Sequence, residues 1–215
     1  MDIVLLALLL SLGINIVMFV PAYLLKTDKL TDISYALTFM FVALMVFLQS
    51  EQTSGHLLAL IMVWAWAIRL GGFLLYRVSV VGKDQRFDAM RGSLLKFGRF
   101  WVLQGLSVFV ILLASIVYWR QPVTSLGLMS LIGALIFAEG LALEAIADQQ
   151  KFAFKQAGKK GWIESGVWSI SRHPNYLGEM MVWAGMFLFV APSLQLSDTL
   201  IALISPIYIC LLYTS

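Results

Sequence analysis

Apolar residues fall into seven long blocks separated by polar stretches, at roughly 3–25, 34–50, 56–77, 100–119, 126–147, 177–193 and 198–213. Blocks of this length predict membrane-crossing helices, because about 20 apolar residues rising ~1.5 Å each span a hydrocarbon layer of ~30 Å. The first block contains Asn15 and Pro21, which a membrane helix accommodates when neighbours satisfy the polar groups they free. No internal repeat, low-complexity tract or polar domain breaks the series. The pattern predicts an all-α fold, a polytopic transmembrane helical bundle of about seven membrane helices. Residues 1–55 would supply N-terminal helices and 56–209 the transmembrane core of a single domain.

Two places depart from plain hydrophobicity. The block at 126–147 runs on into Glu144, Asp148, Lys151 and Lys155, spaced 4, 3 and 4 apart. Such spacing lays one polar stripe along a helix that continues out of the hydrocarbon into water. The stripe reads either as an amphipathic helix end with internal ion pairs or as the wall of a cofactor site, with lysines facing phosphates. Glu139 lies about 140° around the helix from Glu144, so it is expected to make a separate polar contact or to be a protonated core carboxyl.

The second place is Ser171-Arg172-His173-Pro174-Asn175-Tyr176-Leu177-Gly178-Glu179, where a polar loop meets an apolar block. Pro174 favours a helix start, since its fixed φ and missing N–H suit the first turn. The free N–H groups of that turn, beside Arg172 and His173, suit an anion. Asn175 and Glu179 are four apart and share a face. Tyr176 can stack on a ligand or anchor at the membrane interface.

Composition then fixes the class. The chain has 215 residues, 60% hydrophobic and 13% charged, with a mean hydropathy of +0.88. Soluble domains carry about a quarter charged residues, so this is an integral membrane protein. Met1-Asp2 leads straight into an apolar run without a basic leader, so no cleavable signal is expected. A single cysteine, Cys210, excludes an intramolecular disulfide, and with only His56 and His173 no metal centre is expected.

The net charge of +3 is no nucleic-acid signal, because the basic residues follow the membrane topology. Thirteen of the fifteen fall in or beside the first, third and fifth loops: Lys26 and Lys29, then Arg77 to Arg99, then Lys151 to Arg172. That asymmetry predicts cytoplasmic basic loops and an outside N-terminus, in a multi-pass protein of a bacterial inner membrane.

Together the nine-residue motif and Glu144-Ala-Ile-Ala-Asp148-Gln149-Gln150 resemble DUF1295, a membrane family of unknown function allied to the steroid 5-alpha-reductases. The turn Gly166-Val167-Trp168 fits the family's pattern, as do Arg69 and Asp84-Gln85-Arg86-Phe87. A wider relative is the isoprenylcysteine methyltransferase group, which shares Arg172-His173-Pro174-x-Tyr176-x-Gly178. Asn175 and Glu179 favour the reductase branch.

The resemblance implies an NADPH-dependent reductase acting on a C=C bond conjugated to a carbonyl in a lipid or steroid-like substrate. Cofactor contacts would come from Glu144, Asp148, Lys151, Lys155, Arg172, His173, Asn175, Tyr176 and Glu179, with Arg86 on a cytoplasmic loop over the phosphates. Trp66 and Arg69 would line the substrate cavity. Steroid reductases carry a tyrosine where this chain has Trp66, so their proton donor does not transfer and no catalytic acid is assigned. The alternatives are an S-adenosylmethionine-dependent membrane methyltransferase, and a non-enzymatic protein in which Arg69, Glu139, Glu144 and Glu179 line a solute path. The last six residues, Cys210 to Ser215, back-translate to a transposase end sequence used in sequencing libraries. They are therefore expected to be a non-native tail on a C-terminally truncated chain.

Overall fold

A computed structural model of the protein describes residues 2–81, 87, 90–122 and 126–214. Seven α-helices succeed one another, and no strand occurs among the described residues: α1 (Ile3–Leu24), α2 (Lys29–Phe47), α3 (Ser54–Val81), α4 (Leu94–Trp119), α5 (Leu128–Gln156), α6 (Pro174–Val190) and α7 (Leu196–Thr214). Each is long and apolar enough to cross a membrane, which makes the chain an integral multi-pass membrane protein. The apolar blocks locate all seven but miss polar turns. Thus α2 begins at Lys29, whose N–H donates to Thr27 Oγ1 at 3.2 Å, five residues before its apolar block. At the other end of the chain's first helix, Asp2 caps α1 by accepting the N–H groups of Val4 and Leu5. Those bonds hold its carboxyl below the usual carboxylate range.

The helices group into two compact units, Met1–Thr124 and Ser125–Ser215. In the first, α1 packs on α2 and α4, and α2 on α3 and α4. A polar cluster lies within its apolar interior. Asn15 Nδ2 donates to Ser11 O (2.8 Å) and Thr38 Oγ1 (3.3 Å), while Asn15 Oδ1 accepts from Gln104 Nε2 (2.9 Å). Gln104 also donates to Thr31 O at 3.2 Å, so three helices share one buried amide network. Asn15→Ala is expected to cost about 1–2 kcal/mol, read as a lower thermal midpoint in detergent. Adding Gln104→Leu should cost less than the sum of the single changes, because the two amides act on each other.

Trp66, 1% exposed, packs edge-on against Phe39 (centroids 4.7 Å apart) and Tyr35 (6.5 Å). Among the described residues, ion pairs join Arg77 to Asp32 at 3.3 Å and Arg91 to Asp28 at 3.2 Å, both near the start of α2.

In the second unit α5 and α6 form an antiparallel pair in backbone contact. Gly133 and Gly140 on α5 are seven apart, as are Gly178 and Gly185 on α6, so each pair lies on one helical face. A Cβ placed on Gly140 would lie 2.7 Å from Gly178 O, and one on Gly185 would lie 2.7 Å from Gly133 O. Small residues of this kind let membrane helices approach until the backbones touch. α7 packs on α6.

Candidate functional site

The glycine contacts set the register of α5 against α6. Gly133 meets Gly185, Leu188 and Phe189, Gly140 meets Gly178 and Met181, and Gly178 meets Glu144. Followed along both helices, this register brings the start of α6 level with about Ile146. The remaining residues of α5, Ala147 to Gln156, extend past α6 by about 15 Å. The stripe is thereby divided. Glu144 lies in the paired region, 4% exposed against the α6 backbone, while Asp148, Lys151 and Lys155 lie on the overhang.

The segment between the helices returns along that overhang. The Val167 N–H donates to Gln150 Oε1 at 3.1 Å, and Trp168 Nε1 donates to Ala147 O at 3.1 Å. Between them Gly166 adopts φ +63°, and a Cβ there would collide with the Gln150 amide. Only glycine meets both demands. Gln150, Gly166 and Trp168 therefore staple the loop to α5, and the Lys151 ammonium sits 5.5 Å from the centre of the Trp168 ring, within cation–π range.

Between overhang and loop lies a hollow of about 620 Å³, a size ordinary for a small-molecule site. Lys151, Lys155, Lys159, Arg172 and His173 line it, with Phe154, Trp162, Ile163 and Trp168; Glu164 is the one acid among its described lining residues. Four fixed cations around one carboxylate make a site for anions, and the arginine fork suits phosphate.

Of the residues the sequence singles out, this hollow gathers Lys151, Lys155, Arg172 and His173. Glu144, Asp148, Asn175, Tyr176 and Glu179 are not in its lining. Glu179, 4% exposed, accepts the Trp183 indole N–H at 2.8 Å. Tyr176 stacks on His173 (5.0 Å, 11°) and meets Tyr213 at 4.5 Å. Asn175 Oδ1 is buried, with no hydrogen-bond partner among the described residues. Arg86 lies outside the described residues. Trp66 and Arg69 belong to α3 in the first unit; Trp66 is a core residue there, and Arg69 is half-buried. Glu139 is exposed on α5 and not a core carboxyl, because the face that meets α6 is set by Gly133, Phe137 and Gly140.

Sequence reasoning missed Lys159, Trp162, Glu164 and the lining role of Trp168. Their signal was the run Gly158-Lys159-Lys160-Gly161, whose two glycines both take positive φ.

Residues 18–215 match the family described as a protein of unknown function, DUF1295. No curated protein matches the chain, and no solved structure does.

Proposed function

The chain belongs to the DUF1295 family, and from that premise and the cationic hollow we propose that it is a membrane reductase using NADPH. The observation that carries this reading is the convergence of Lys151, Lys155, Lys159, Arg172 and His173 on one hollow. A ligand bearing several phosphates gives Lys155, Lys159 and Arg172 a counter-charge and His173 a hydrogen-bond partner. Arg86 is proposed to join them.

The polar residues where α6 begins are proposed to hold the ribose and nicotinamide end. Asn175 Oδ1, a buried acceptor without a partner among the described residues, fits an N–H donor such as a carboxamide. Glu144, Asp148, Tyr176 and Glu179 add acceptors and an aromatic face beside it. When bound, NADPH would supply hydride to the β-carbon of a C=C bond conjugated to a carbonyl in a lipid-like substrate and leave as NADP+, with a proton from solvent completing the α-carbon. The chain's part is to orient the reactants, exclude water and stabilise developing charge. The basic loops are proposed to face the cytoplasm.

S-adenosylmethionine carries no phosphate to meet Lys155, Lys159 and Arg172, so methyl transfer is disfavoured. Equilibrium binding to the purified full chain tests the choice. NADPH should bind at least about tenfold tighter than NADH, since one added phosphate gains a charge-assisted contact of ~1.5–3 kcal/mol. Saturable binding of S-adenosylmethionine with none of NADPH would overturn the reading.

A further inference from the structure

Beyond the nucleotide reading, we infer that the rim of the loop between α5 and α6, whose Lys159, Trp162 and Arg172 also line the hollow, is a docking surface for anionic lipid headgroups. The level of the loop is set by α6. The apolar span from Pro174 to Ser193 is 20 residues, about 30 Å of helix, which equals the hydrocarbon thickness. Pro174 therefore stands at a hydrocarbon edge, and the α5 overhang with its loop rises through the headgroup layer beside it.

Two large side chains in this loop have no cover: Trp162 is 80% exposed and Ile170 is 82% exposed. In water both would be costly. In the headgroup layer they are anchors, with tryptophan the residue best suited to that level. Lys159, Lys160 and Arg172 flank them, and none makes an ion pair among the described residues. Unpaired cations beside exposed aromatic and aliphatic groups at a bilayer edge match a leaflet carrying negative charge, where each basic residue gains about fivefold in binding. A zwitterionic leaflet would accept Trp162 and Ile170 but leave the three cations without counter-charges.

The test uses the full chain in nanodiscs made with brominated phosphatidylglycerol or brominated phosphatidylcholine. The Trp162 signal is the difference between the parent and Trp162→Phe. Stronger quenching by the phosphatidylglycerol, unaffected by free inorganic phosphate at constant ionic strength, is the expected result. Lys160→Gln should lower the phosphatidylglycerol preference about fivefold. Lys160 lies outside the lining of the hollow, so that variant should leave nucleotide binding unchanged. Equal quenching in the two lipids overturns the inference, as does a Trp162 signal reached by aqueous acrylamide and by neither lipid. Loss of the preference on adding inorganic phosphate would reassign the rim to free anions and overturn it as well.

Discussion

Gly185→Ala is expected to destabilise the protein by about 2–3 kcal/mol, whereas Gly72→Ala should leave it unchanged or stabilise it by up to about 1 kcal/mol. The chemical change is the same, a methyl group added to a helical glycine. At Gly185 the new carbon would stand 2.5 Å from the Phe137 backbone nitrogen and 2.7 Å from Gly133 O. Neither is a side chain that can swing away, so α5 and α6 must separate along their length, and contacts are lost well beyond one methyl. At Gly72 nothing lies within 4 Å, and only the gain in helix propensity remains. Thermal unfolding of both variants in one detergent decides the matter. Equal midpoints would show that the two helices do not touch through their glycines.

Reversing two charges in the hollow should abolish nucleotide binding. In Lys155→Glu/Arg172→Glu, two charge-assisted contacts worth ~1.5–3 kcal/mol each are replaced by repulsion. NADPH affinity should fall at least about a hundredfold. Lys26→Gln is the control, an exposed cation in the other unit, and should change nothing. Salt titration adds a second readout, because the parent should lose affinity steeply with ionic strength and the double variant hardly at all. Both lining residues are exposed, so the fold should survive their replacement. An unchanged affinity would remove the hollow from the binding site.

Much of this architecture is legible in the chain because hydrocarbon imposes a simple rule on helices. The seven blocks, the start of α6 at Pro174 and the run of α5 past its apolar block all follow from periodicity and a proline. The partition of the candidate site does not. Spacing puts Glu144 on one stripe with Lys155, yet cannot tell that α6 ends its contact near Ile146 and leaves only the lysine end open. That boundary depends on which glycines face each other, a tertiary fact that needs both helices. The loop residues Lys159 and Trp162 escaped for a similar reason. Their placement rests on Gln150 and Trp168 folding the segment back, and on positive-φ glycines whose directions a sequence does not display. Glu139 escaped because the helix face that packs is chosen by glycines, whereas hydrophobicity alone leaves α5 apolar all round.

The two glycine pairs also limit how the hollow can change shape. Helices whose main chains touch at both ends of a shared face have no slack for sliding or tilting, so α5 and α6 behave mechanically as one beam. Any change in the hollow's shape then falls to the strap from Gly158 to Trp168, which Val167 fastens to Gln150 and Trp168 to Ala147.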